Sequence, residues 1–282
     1  MSADDDLDLY DSSSPTLAAP RSPSFVPALV ALGVVAARGA AALWFYLHRT
    51  PPRAAVEPAV TPAATTTAPP AALGSQAEAV QVPPLDASDD AVRDLIRRLS
   101  AHPIVAAWLA GDGLLRHVAA GIENIAAGQA PTVHVQALRP TAPFRVTTQG
   151  GRTVIDPRSY ARYDGIAEAL DTIDPEAAAR LYSTLKPRLE DAVAELGEVP
   201  ASLDASLERA IVAVLQTPAV SDPIVLTPKG IGYGFADERL EALPAAQKQL
   251  LRMGPTNARR IKASLRRIAL ALGIPATRLP PP

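Results

Sequence analysis

Four kinds of patterning divide the chain. Residues 1–24 are polar and acidic with few apolar positions, 25–47 are almost continuously apolar, and 48–84 are dominated by proline, alanine and threonine. From Leu85 onward, apolar residues return at helical spacing. Val92, Leu95, Ile96 and Leu99 share one face, with Ser88 or Asp86 placed to cap and Asp89 and Asp90 suited to the positive N-terminal end. A short helix opened by Pro103 carries Trp108 and Leu109 and stops at Gly111; Leu114, Leu115, Val118, Ile122 and Ile125 mark another, ended by Gly128.

Next comes the clearest hairpin signal. Phe144–Thr148 and Arg152–Ile155 are β-prone stretches joined through Gln149, Gly150 and Gly151. Two Asp-Pro pairs follow, Asp156-Pro157 and Asp174-Pro175, each predicting a helix with aspartate as cap and proline in the first helical position. The second carries Leu181, Leu185, Leu189, Val193 and Leu196, with Pro187 expected to kink it. Asp204–Leu215 adds a helix and Ile224–Phe235 reads as extended. At the end of the chain Pro244 starts a helix that Gly254 ends, and Pro255 and Thr256 start another that Gly273 closes. In the last helix Ile261, Leu265, Ile268 and Leu272 form one stripe, and Arg259, Arg260, Lys262, Arg266 and Arg267 cover most of the rest. The expected fold class is mainly α: one domain of about eight helices with one or two small β-hairpins over 85–273, followed by a disordered tail at 274–282. Its expected core includes Trp108, Leu181, Leu185, Ile211, Ile261 and Leu265.

The 23-residue run Phe25–Leu47 ends in Trp44, Phe45 and Tyr46, followed by His48 and Arg49. As a helix it would span about 34 Å at 1.5 Å per residue, against a hydrocarbon core of about 30 Å. Interfacial aromatics and a cationic flank fit a transmembrane anchor. Arg38, near the middle, argues against it, at an insertion cost of roughly 2.5–3.5 kcal/mol. A signal peptide processed near Ala40–Ala42 and a buried soluble helix are the competing readings; the anchor is preferred. Arg49 and Arg53 after the span, against Arg21 before it, favour a cytoplasmic C-terminal side. The eight prolines of Thr50–Pro84 point the other way, because a stiff spacer holds a domain away from a bilayer. The expectation is therefore a single-pass anchor with the domain on the extracytoplasmic side.

Charge sharpens this picture. The net charge is −2, but residues 1–24 carry five aspartates against one arginine, and the eight Lys and Arg after Glu241 face no acidic residue. With no cysteine, disulfides, thiol nucleophiles and Cys-ligated zinc are excluded. His48, His102, His117 and His134 show no i, i+4 pair and no HExxH pattern, so no metal or other cofactor is expected. No serine sits in a GxSxG elbow, and Gly230-Ile231-Gly232-Tyr233-Gly234 lacks the spacing of a phosphate loop and reads as a twisted strand. Asp156, Asp164, Asp171 and Asp174, close to Tyr160 and Tyr163, could supply paired carboxylates, but helix capping already explains Asp156 and Asp174. An enzyme is the least favoured class.

The stretch from Met253 to Ile261 resembles the second half of a helix-hairpin-helix, in which an hGxxxAxxI string turns backbone N–H groups toward a DNA phosphate. Arg252 departs from it, standing where that motif has glycine. The candidate binding residues are Gly254, Thr256, Asn257, Arg259, Arg260, Lys262, Arg266 and Arg267. The plain alternative is an antiparallel helical pair closing the domain with a solvated basic face.

The phrases PPLDASDDAVRDLI (83–96), HPIVAAWLAGDGLLRHV (102–118), ALRPTAPF (137–144), IDPRSYARYD (155–164), ARLYSTLKP (179–187) and ALPAAQKQLLRMGPTNARRIKASLRRI (242–268) resemble a family of bacterial membrane-anchored proteins, the domain of unknown function 3014. The resemblance implies an N-terminal anchor, a Pro-rich spacer and this domain in a bacterial inner membrane; it assigns no activity and no functional residues. Two function classes follow. One is an envelope module binding a protein or anionic polymer, with no small-molecule ligand; the alternative is a membrane-held, non-specific DNA-binding protein.

Overall fold

The computed structural model describes residues 72–131, 134–135, 138–197 and 202–282; the acidic segment 1–24, the apolar run 25–47 and residues 48–71 lie outside them. Among the described residues no helix is long and apolar enough to cross a membrane. They form ten helices and two antiparallel two-stranded sheets: α1 (Asp89–Leu99), α2 (Pro103–Leu109), α3 (Leu114–Ala126), β1 (Val146–Gln149), β2 (Arg152–Ile155), α4 (Arg158–Ala161), α5 (Asp164–Asp171), α6 (Pro175–Glu195), α7 (Leu203–Leu215), β3 (Leu226–Lys229), β4 (Gly232–Phe235), α8 (Glu238–Glu241), α9 (Ala245–Arg252) and α10 (Pro255–Ala271). The expected mainly helical domain is present; the two helices beyond the expected eight, α4 and α8, are single turns.

The main core lies where α3, α6, α7 and α10 meet, with α1 laid against α3 and α6. Its centre is built from the expected stripes: Leu114, Leu115, Leu185, Leu189, Ile211, Leu215 and Leu272 are buried. Of the six residues expected at the core, Leu185, Ile211 and Ile261 are buried, while Trp108, Leu181 and Leu265 are partly buried against it. The hairpins form in register, Val146 opposite Ile155 and Leu226 opposite Phe235. They meet edge to edge through the Ile155 N–H donating to the Ile224 carbonyl at 3.1 Å, and enclose a second cluster of Ile155, Ile224, Leu226, Phe235 and Leu251.

Of the expected caps, that of Asp174 forms as expected, whereas α4 starts after Pro157, its N-cap, a position that Asp156 therefore does not fill. Asp174 accepts from the Ala177 N–H at 2.7 Å, with Pro175 in the first turn. Ser88 occupies the N-cap of α1, but its hydroxyl turns back to donate to the Leu85 carbonyl, so it makes no side-chain cap. The carboxylate of Asp89 instead crosses to α3 and accepts from the N–H groups of Gly113 and Leu114 at 2.7 and 2.9 Å, capping a helix that begins on glycine.

Two expected boundaries are corrected. The tail at 274–282 is part of the fold: Ile274 and Leu279 are buried in the main core, and Arg278 pairs with Glu208 at 2.7 Å. These two apolar side chains, too widely spaced to show a helical period, find slots beside the end of α10. At the other end, the spacer assigned to 48–84 already packs from residue 73. Its backbone is held by side chains: Leu73 N–H donates to Asp204, Glu78 N–H to the Thr184 hydroxyl, and Arg188 donates to the Val82 carbonyl. Gly74 N–H reaches the Leu272 carbonyl at 2.9 Å, at the C-terminal end of α10. Asp204 also accepts from Tyr182 and Lys186, both at 2.6 Å. Burial opposes its charge, but Lys186, Tyr182 and the Leu73 amide outweigh that and hold its carboxyl below the usual carboxylate value.

Candidate functional site

Helix α10 carries the basic segment, and its contacts sort seven of the eight candidate residues into three groups; the eighth, Thr256, is exposed. Ile261, Ser264 and Ala269 face inward, fixing the helix against α5, α6 and α7. Asn257 lies on that inward face and is 3% exposed. Its amide donates to the Tyr160 carbonyl, to Asp164 Oδ1 and to the Met253 carbonyl, at 3.1, 2.9 and 3.1 Å. Asn257 is therefore a structural tie, and its expected place among the binding residues is corrected: the side chain, four residues before Ile261, is spent on the Tyr160 carbonyl and the Asp164 carboxylate instead of meeting solvent.

Gly254 is likewise occupied structurally. It sits at φ +88° and ψ 158°, backbone that glycine alone adopts readily. A Cβ there would lie 2.4 Å from Tyr160 Cγ, so the tyrosine ring closes against the turn. The Tyr160 hydroxyl donates to Asp222 at 2.7 Å; burial first, then Asp222, push the phenol well above its usual pKa. The special backbone conformation thus falls on Gly254 and not on Arg252. Arg252 ends α9 in helical conformation, lies 5.2 Å over the Phe235 ring and donates to the Tyr233 carbonyl.

Two of the arginines already face acids. Arg267 pairs with Asp171 at 2.9 Å, and Arg260 lies 3.8 Å from Glu168. Ser264 also donates to Asp171, and Arg267 and Ser264 together hold that carboxyl below its usual pKa. The remaining three cations behave differently. Arg259 reaches only the Thr256 hydroxyl, at 3.3 Å. Lys262 donates to the Thr217 carbonyl at 2.8 Å, and Arg266 donates to the Pro280 carbonyl. None of the three has a carboxylate within salt-bridge distance among the described residues. Burial, then Arg266 nearby, lowers the Lys262 pKa, as expected of an ammonium held partly out of water without a counter-charge.

These three cations line a groove of about 500 Å³ between α10, the 218–224 segment and the C-terminal prolines. Leu215, Ile224 and Leu251, all buried, form its bottom; Pro281, Pro282 and half-exposed Leu270 stand at its outer edge. From α10 it takes Pro255, Ala258, Arg259, Lys262, Ala263, Arg266, Arg267 and Leu270, one continuous face of the helix. The cations are visible in the sequence; the apolar bottom, contributed by three other segments, is not. A second cavity of about 470 Å³ lies between α5, α9 and α10, and a third of about 560 Å³ beside Glu123 and His134.

The other candidates resolve into structural roles. Asp156 accepts from the Arg158 backbone and guanidinium. Asp164 binds Asn257, and Tyr163 accepts from Gln249. His102 Nδ1 accepts from the Ile104 N–H, capping α2, and His48 lies outside the described residues. The 230–234 glycines form the turn and second strand of the β3–β4 hairpin. His117 and His134, unremarkable in sequence, bring their Nδ1 atoms within 3.5 Å; no group of three or more His, Asp or Glu able to hold a metal occurs among the described residues.

Residues 114–269 match one family model, described as a protein of unknown function (DUF3014). No curated protein and no solved structure matches the chain.

Proposed function

As the chain belongs to the DUF3014 family of proteins of unknown function, we propose that it is a membrane-tethered binding module, docking an anionic partner in the α10 groove and performing no chemistry itself. One observation carries this reading: Arg259, Lys262 and Arg266 line an apolar groove with no carboxylate in salt-bridge range among the described residues. A partly desolvated cation without a counter-ion is a cost that a bound anion removes. Of the acids singled out in the sequence, Asp156 and Asp171 serve ion pairs and Asp174 a helix cap, which supports a binding role over catalysis.

The apolar run Phe25–Leu47 would supply the tether, with the domain on the extracytoplasmic side of a bacterial inner membrane. A reporter fused after Pro282 then works only outside the cytoplasm; activity inside overturns the orientation. The DNA alternative draws less support, since Gly254 serves Tyr160 and Asn257 is buried.

The docking reading is tested with the full chain against polyglutamate, phosphatidylglycerol vesicles and duplex DNA. At least one anion binds, with salt-sensitive affinity, and Arg259→Gln with Lys262→Gln weakens it about tenfold or more. Binding of none of them at low salt, or binding indifferent to the two substitutions, overturns it.

A further inference from the structure

We infer that the occupant of the α10 groove is an acidic peptide segment of a partner protein, with apolar side chains interleaved between its carboxylates. This rests on the docking reading above and narrows it to one chemistry.

The first argument is how the charge is laid out. The groove follows α10 from Pro255 to Leu270, about 22 Å at 1.5 Å per residue. Arg259, Lys262 and Arg266 are spread along it, the outer two separated by about 10 Å of helix rise. A fatty acid or phospholipid concentrates its charge at one end and would need the cations gathered there. A ligand that meets all three carries charge at intervals along its length.

The second argument is the bottom of the groove. Val220, Ala258 and Ala263, lying over buried Leu215, Ile224 and Leu251, offer apolar surface to whatever lies between the cations. Nucleic acid and acidic polysaccharide present a polar backbone there and would desolvate it without recompense. A peptide alternates: its carboxylates reach the rim and its leucines or phenylalanines fill the bottom. In an extended three-residue-per-turn chain, positions i and i+3 share a side at about 9 Å, close to the spacing of the outer cations.

The third argument is that the cations are already positioned. Lys262 spends one of its three donors on the Thr217 carbonyl, and Arg266 one of its five on the Pro280 carbonyl. The two heads are thereby anchored to two different segments, with donors to spare and little rotamer freedom left to lose on binding.

The test uses the full chain and a fluorescent decapeptide with aspartates three apart and leucines between. Two companion peptides replace every Asp by Asn or every Leu by Ser, and phosphatidylglycerol vesicles and duplex DNA run in parallel. The parent peptide binds, and each companion binds at least tenfold more weakly. Ala263→Trp, which fills the groove from an exposed position, and Arg259→Gln each weaken the parent peptide about tenfold while leaving the melting temperature unchanged. Equal binding of the Leu-to-Ser peptide would make this a plain polyanion site and overturn the inference. Vesicle or DNA binding that Lys262→Gln abolishes, with no peptide binding, sinks the peptide but leaves the docking reading standing. Silence from every probe removes both.

Discussion

Replacing Gly254 by alanine separates a structural glycine from a phosphate-binding one. The perturbation has two parts. At φ +88° and ψ 158° a non-glycine residue costs about 1–3 kcal/mol in backbone strain. The new Cβ would also start 2.4 Å from Tyr160 Cγ and 2.7 Å from Cδ1, so the ring or the turn must move; overpacking of this kind costs about 1–3 kcal/mol. The sum is centred near 4 kcal/mol, which for a domain of this size lowers the melting temperature by about 8–16 °C. Gly273→Ala is the control, because Gly273 also has positive φ, at +90°, but nothing lies within 4 Å of its added Cβ. It should cost only about 1–2 kcal/mol. Denaturant melts followed by far-UV circular dichroism give both values. In a Tyr160→Ala background the clash disappears, so the Gly254→Ala cost should drop by about 1–3 kcal/mol. Equal costs at Gly254 and Gly273, or no coupling to Tyr160, would refute the assignment. A Gly254→Ala chain of normal stability that no longer bound DNA would restore the hairpin reading.

Two further outcomes follow from ties elsewhere. Glu241 is held down to about 2 by the Lys229 hydrogen bond and the Phe235 N–H, against an ordinary 4.5; its folded pKa lies below its unfolded one, so its contribution is complete above pH ~4.5 and fades as pH falls toward 2. Thermal melts of the wild type and Glu241→Gln should differ at neutral pH and converge near pH 2; a constant gap would show that the carboxylate is not the source. Deleting residues 274–282 exposes the slots of Ile274 and Leu279 and should cost about 3–6 kcal/mol at 1.5–3 kcal/mol per buried side chain, measurable by urea titration; a loss under about 1 kcal/mol would return that segment to the status of a loose tail.

The elements were legible where periodicity or a cap announces them. The stripe Ile261, Leu265, Ile268, Leu272, the Asp174-Pro175 start and the Gly150-Gly151 hairpin all appear as written. What stayed hidden depends on partners distant in sequence. Nothing local marks Asp89 as the cap of α3, or Asp204 as the acceptor for Leu73. Asn257 reads as a surface residue because burial of one amide is decided by Tyr160 and Asp164, 97 and 93 positions away. For the site, composition located the cations of α10, since an acid-free run of arginines is visible at a glance. The groove was not visible, because its bottom comes from Leu215, Ile224 and Leu251 on three separate segments. Which arginines are already neutralised is likewise a tertiary fact, set by Asp171 and Glu168 on α5.

The strip from Leu73 to Val82 has a mechanical consequence. Any pull arriving along the chain ahead of residue 72 first meets the Leu73–Asp204 and Gly74–Leu272 bonds, then Glu78 on Thr184, then Val82 on Arg188. A load drawn along such a row is met by these bonds together with the packing of Leu73 and Val82 on the main core. The same row begins at the Leu272 carbonyl, at the C-terminal end of α10, the helix that carries Arg259 near its other end. Tension strong enough to peel Gly74 from Leu272 would therefore act directly on the end of the helix that carries the groove.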